Sequence, residues 1–172
     1  LRKVAHDISR RIEITVMDYR DPRKPYVTGS DIKIVEIDRS VLLSPKGYFA
    51  IVRDADVVID IGGGDCFSDI YGNRRIRRML YMQWLAHLSR TPVIFAPQTI
   101  GPFGPGWIRR MAAASLKRAV LVASRDRLST EAARVLGAKN VTEASDVALR
   151  LPYDPPAMRD PDATLKVGLN VS

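Results

Sequence analysis

Asp56-Val-Val-Ile-Asp-Ile-Gly-Gly-Gly-Asp-Cys-Phe-Ser-Asp-Ile-Tyr-Gly-Asn73 carries a β-branched apolar run straight into three glycines and two carboxylates. The run predicts a strand covered on both faces through Val57, Val58, Ile59 and Ile61, feeding a tight polar loop. Gly62, Gly63 and Gly64 permit backbone angles and a close main-chain approach that a Cβ would forbid. An α/β protein brings its N–H groups to a ligand in this way, although the triplet also reads simply as a tight turn. It matches neither the G-x-G-x-x-G nor the G-x-x-x-x-G-K-[ST] phosphate fingerprint.

Outward from this stretch, apolar runs alternate with segments of helical period. Upstream, the sequence predicts strands over 12–17 and 32–37, with Ser40 as a cap for the next element, and a short helix over 46–53. Downstream, Ile76, Leu80, Trp84 and Leu88 recur every four residues and predict a helix over 74–89. His87 on that helix reads as a packing or surface residue. A strand over 92–96 precedes a loop of prolines and glycines over 97–106. Beyond it come a helix over 107–118, a strand over 119–123, a helix over 127–136 stopped by Gly137, and a strand over 140–143. Strands separated by helices imply right-handed crossovers and an α/β fold: a doubly wound, mostly parallel Rossmann-like sheet with helices on both faces.

At 172 residues and 46% hydrophobic content, one domain with its own core is expected, with a fringe of another. Residues 1–151 form that domain in this reading, 152–164 have the proline content of a linker, and 165–172 read as the first strand of a second unit. The chain opens in what looks like the tail of an amphipathic helix, with Leu1 in place of Met, so its first strand and loop are expected to lie upstream.

The formal charge is +8, from 27 Lys and Arg against 19 Asp and Glu, and much of it comes from arginine pairs such as Arg74-Arg75, Arg77-Arg78 and Arg109-Arg110. Their helical spacing beside apolar residues reads as solvated helix faces, while the sign of the excess favours anionic partners. Zinc spacings, RNA-binding aromatic motifs and a basic tail are all missing from the sequence, so no nucleic-acid partner is expected. Cys66, the single cysteine, fits a reducing compartment and reads as a small buried residue rather than a nucleophile. No His or Cys cluster suggests a resident metal, and no cofactor is expected.

Each polar cluster comes just after the carboxyl end of a predicted strand: 62–69, 98–101, 124–129 and Ser145-Asp146. In a parallel sheet those ends share one edge, where ligands bind. Gly62, Gly63 and Gly64 offer N–H donors to an anion, and Arg125 a guanidinium for phosphate or carboxylate. Asp65, Asp69, Asp126 and Asp146 are candidates to accept sugar hydroxyls, hold Arg125 or act as a base. Each has a bland alternative. Asp126 and Ser129 suit a helix cap, Gln98 suits a bond within its own loop, and Asp146 suits nearby backbone.

Ile61-Gly-Gly-Gly64 with Phe67-Ser-Asp69, Pro97-Gln-Thr-Ile-Gly-Pro-Phe103, Ser124-Arg-Asp126 with Ser129, and Ser145-Asp-Val-Ala-Leu149 resemble, in order and spacing, the polysaccharide pyruvyl transferase family over residues 12–172. The resemblance implies two Rossmann-like domains in a GT-B-like arrangement, this chain holding mainly the first. It also implies transfer of the pyruvyl group of phosphoenolpyruvate, as a ketal, to a sugar of a cell-surface or exported glycan on a nucleotide- or lipid-linked carrier. The implied location is cytoplasmic, at the inner face of the membrane. By the same analogy Gly62, Gly63, Gly64, Asp65, Asp69, Gln98, Arg125, Asp126, Ser129 and Asp146 line the substrate cleft. The family's catalytic histidine belongs to the second domain; His6 and His87 lie outside every matched motif, so these residues alone are expected to be inactive. Two other classes share the features: a GT-B glycosyltransferase using a nucleotide sugar, and a non-catalytic binding protein.

Overall fold

The computed structural model describes residues 11–19, 29–62 and 66–146, together with Leu149 and Asp154. Gly63, Gly64 and Asp65, residues 1–10 of the amphipathic opening, the linker apart from Asp154, and the strand expected at 165–172 lie outside them.

The described elements are β1 (Ile14–Tyr19), β2 (Ile32–Ile37), α1 (Arg39–Leu43), α2 (Tyr48–Asp54), β3 (Val58–Asp60), β4 (Cys66–Phe67), α3 (Asn73–Leu88), β5 (Val93–Ile100), α4 (Trp107–Arg118), β6 (Leu121–Ser124), α5 (Arg127–Val135) and β7 (Val141–Glu143). The main sheet has the order β3-β5-β6-β7, with β4 also pairing β5, and a separate ribbon pairs β1 with β2. Every pairing is parallel. This is a Rossmann-like α/β architecture, a mostly parallel sheet flanked by helices, and its parallel register brings the carboxyl ends of β3 to β7 to one edge.

Apolar periodicity builds the core. Val93, Phe95 and Val122 of the sheet meet Ile76, Met79 and Leu80 of α3, Ala112 and Leu116 of α4, and Ala133 of α5. Phe67 is fully buried, with ring centroids 5.4 Å from Phe95 and 5.2 Å from Phe103, so the short β4 is fixed by aromatic packing as well as by pairing.

Four expectations change. Residues 97–100 are strand rather than loop: β5 continues through Pro97, and its register shifts between Phe95 and Gln98. A bulge is where a strand accommodates a residue without an N–H. The buried phase switches there from Val93 and Phe95 to Gln98 and Ile100. Second, β4 forms from only two residues after the glycine loop, too short for a periodic signal. Third, Asp38 caps α1 in place of Ser40; its Oδ1 accepts from Val41 N at 2.8 Å and from Ser40 Oγ at 2.6 Å. Fourth, β3 is not covered on both faces. Among the described residues it pairs only with β5, and Val57, Ile59 and Ile61 remain 41%, 39% and 62% exposed while Val58 packs on the core.

Candidate active site at the carboxyl edge

The glycine turn is built from Asp60, the one charged residue within the apolar run 57–61. Its Oδ1 accepts from Gly62 N at 2.8 Å and its Oδ2 from Gln83 Nε2 at 2.6 Å. Burial raises the Asp60 pKa above the ordinary 3.8, and the bonds from Gly62 and Gln83 oppose that rise. Gly62 has φ +64°, and a Cβ there would lie 2.2 Å from Gln98 Oε1. Gln98, 1% exposed, donates through Nε2 to the Asp60 carbonyl at 3.1 Å, while its Oε1 has no hydrogen-bond partner among the described residues. Gln98 therefore supports the glycine turn from beneath.

Arg75, in the first turn of α3, straps the turn from above. Its Nη2 donates to the Gly62 carbonyl at 3.0 Å and its Nη1 to the Cys66 carbonyl at 3.5 Å, so one guanidinium holds both ends of the loop. Reading Arg75 as part of a solvated helix face is thus corrected. Cys66 is buried, as its sequence setting indicated.

Arg125 lies just past β6 and is held by the strands on either side. Its Nε donates to Thr99 Oγ1 of β5 at 2.7 Å, and its Nη1 pairs with Asp146 Oδ2, beyond β7, at 2.9 Å. Nη2 has no partner among the described residues, and the side chain is 30% exposed. The guanidinium is thereby oriented at two nitrogens, leaving the third to donate to one oxygen of an oxyanion.

The other candidates serve the scaffold in this state. Asp126 caps α5: Oδ1 accepts from Ser129 N at 2.7 Å and Oδ2 from Ser129 Oγ at 2.8 Å. Ser129 Oγ in turn accepts from Ile100 N at 3.0 Å, joining the end of β5 to the start of α5. Asp69 Oδ2 accepts from Gly104 N at 2.8 Å, and Ser68 Oγ donates to the Pro102 carbonyl at 2.7 Å, so the loops after β4 and β5 are laced together. Gly62, Asp69, Gln98, Arg125, Asp126, Ser129 and Asp146 all stand along the common edge. Asp60, Gln83, Arg75 and Thr99 are additional to the sequence reading. An acid inside an apolar strand was the available signal for Asp60; Arg75 had none among so many arginines.

The polar chain continues inward. Ser115 Oγ of α4 donates to Gln83 Oε1 at 2.9 Å, which leaves it to accept from His87 Nε2 at 3.0 Å. His87 is a packing residue, as anticipated, with its ring 5.8 Å from that of Trp84. Burial and the Arg118 guanidinium lower its pKa below the ordinary 6.5, against the opposing bond that it donates to Ser115. The unfolded chain takes up this proton near 6.5 while the folded chain resists it, so His87 removes stability as pH falls through that value. Asp60 acts with the opposite sign, since its raised pKa contributes stability at low pH that is lost as pH rises through the folded value. Urea titrations at about pH 7.5 and about pH 5.5 should therefore show a smaller pH-dependent loss in His87→Gln than in the wild type. An unchanged slope would contradict this assignment.

A family model for polysaccharide pyruvyl transferase matches residues 1–170, nearly the whole chain. The chain belongs to the polysaccharide pyruvyl transferase family. Neither the curated proteins nor the solved structures yield a match. In this pyruvyl transferase family member, Arg125, Thr99 and Asp146 stand together at the carboxyl edge of the parallel sheet, the edge at which open α/β sheets bind ligands. Among the described residues no group of three or more His, Cys, Asp or Glu is placed to hold a metal, and no helix is long and apolar enough to cross a membrane.

Proposed function

We propose that this chain forms the donor-side wall of an enzyme that moves the pyruvyl group of phosphoenolpyruvate onto a sugar of a cell-surface or exported glycan, as a ketal. In that reaction C2 of the donor bonds two sugar hydroxyl oxygens, which lose their protons; one proton equivalent goes to the methylene carbon and the other to the departing phosphate. The C–O bond to phosphate breaks, and inorganic phosphate leaves. Charge builds on the departing phosphate, and a fixed guanidinium beside it lowers the barrier because its orientation is set before the reaction begins.

The observation that supports this reading is Arg125, fixed by Thr99 and Asp146 with Nη2 open at the shared strand edge. The Gly62 N–H is already taken by Asp60, so it is not a donor to the ligand in this reading, and the Oδ1 atom of Asp69 has no partner among the described residues. The acceptor is a glycan on a nucleotide- or lipid-diphosphate carrier, handled at the cytoplasmic face. The proton donor or base belongs to the second domain that the family resemblance implies.

Calorimetry on the full-length protein tests the donor: phosphoenolpyruvate should bind, and phosphate release should require an added glycan acceptor. Binding of a nucleoside diphosphate in place of phosphoenolpyruvate would transfer the proposal to a glycosyltransferase. Residues 1–172 by themselves should release no phosphate, and release from them would overturn the assignment of the acid or base to the second domain.

A further inference from the structure

The chain's charge is strongly localised. Helix α3 carries four arginines and α4 three arginines and a lysine, and neither contains an Asp or Glu. Removing these eight from the 27 Lys and Arg leaves 19, equal to the 19 Asp and Glu, so the whole +8 resides on two adjacent helices.

The two helices run side by side, clasped at both ends. Arg77 of α3 lies over the Trp107 ring of α4 at 5.8 Å, and Arg118 of α4 over the Trp84 ring of α3 at 4.8 Å. Between the clasps, Gln83 and His87 meet Ser115 on the inner side of the seam. With the inner side of α3 occupied by Ile76, Leu80 and Gln83, helical spacing turns Arg74, Tyr81 and Leu88 outward. By the same spacing Trp107 and Arg110 face outward from α4, opposite Ala112 and Leu116. Exposed apolar side chains thus lie among the arginines, Trp107 at 50% and Leu88 at 67%, while Tyr81 is held at the edge of the face by donating its hydroxyl to the Leu42 carbonyl at 3.0 Å.

We propose that this outer face of α3 and α4 docks on an anionic membrane surface. Arginines on helices that carry no Asp or Glu are drawn to negatively charged headgroups, and tryptophan settles at the boundary between headgroup and chain. The apolar residues among the cations favour a bilayer over a nucleic acid, whose phosphates ask only for charge along this kind of face. The proposal does not rest on the donor chemistry, because it uses charge and exposed apolar surface on α3 and α4 and not Arg125, Thr99 or Asp146.

Cosedimentation of the full-length protein with vesicles tests it. Binding is expected to phosphatidylcholine vesicles containing roughly three parts in ten phosphatidylglycerol, and not to pure phosphatidylcholine, with release at roughly 0.5 M salt. The double variant Arg74→Ala, Arg110→Ala should partition about thirtyfold more weakly, at roughly fivefold per arginine. The pair Arg53→Ala, Arg134→Ala on α2 and α5 removes equal charge and should bind as the wild type does. Trp107→Ala, with charge unchanged, should also weaken binding, and circular dichroism would verify that each variant is folded. Absence of binding to anionic vesicles at low salt, equal losses in the two double variants, or retention on RNA without vesicle binding would each overturn the proposal.

Discussion

Arg125→Ala in the full-length protein is expected to lower kcat/KM for phosphoenolpyruvate by about 100- to 1000-fold, the usual cost of deleting one fixed donor to a developing oxyanion. The loss should exceed any effect on folding. Arg125 is partly exposed and its ion pair with Asp146 lies near solvent, so the pair contributes at most about 1 kcal/mol to stability. Arg125→Lys restores charge but not the planar set of donors, because an ammonium cannot engage Thr99, Asp146 and a ligand in one plane. It should recover only part of the rate. Phosphate-release kinetics beside thermal unfolding separate the two effects; a variant within about threefold of wild type in kcat/KM would remove Arg125 from the reaction.

Gly62→Ala carries the largest expected cost in stability, about 2–5 kcal/mol. A left-handed alanine costs roughly 1–2 kcal/mol on its own. The new methyl would then sit against Gln98 Oε1, forcing that buried amide away from the Asp60 carbonyl. A displaced buried amide leaves polar groups unsatisfied at roughly 1–3 kcal/mol. If this account is right, adding Gln98→Ala makes room, and the double variant should be less destabilised than the sum of the singles. Urea unfolding of the four proteins measures the coupling, and a Gly62→Ala loss below about 0.5 kcal/mol would refute the packing argument.

Sequence periodicity carried most of the fold. The span 32–37 and the span 107–118 match β2 and α4 residue for residue, the first as a short β-branched run and the second as a helical repeat. What stayed hidden depends on tertiary context. Pro97 reads as a breaker in isolation, yet a bulge absorbs it and the strand continues to Ile100. Val57, Ile59 and Ile61 read as doubly buried, because hydrophobicity alone does not reveal that β3 lies at the end of the described sheet.

In the site, Arg125 stood out as a lone cation at a strand end, and the structure adds the partners that aim it. Thr99 was visible only as part of a loop motif, since its role needs β5 and β6 side by side. Arg75 was indistinguishable in sequence from Arg74, Arg77 and Arg78. Only the turn geometry selects the one that reaches Gly62 and Cys66.

The register shift in β5 limits which changes of chain length the protein can tolerate. Before the shift the strand sends Val93 and Phe95 into the core; after it, Gln98 goes beneath the glycine turn and Thr99 meets Arg125. Losing or gaining one residue there would exchange the directions of Gln98 and Thr99, placing a hydroxyl under Gly62 and an amide against the guanidinium. A segment that looks like a permissive proline loop thus acts as a fixed ruler, and insertions or deletions between Phe95 and Gln98 would disable the site while leaving every one of its residues present.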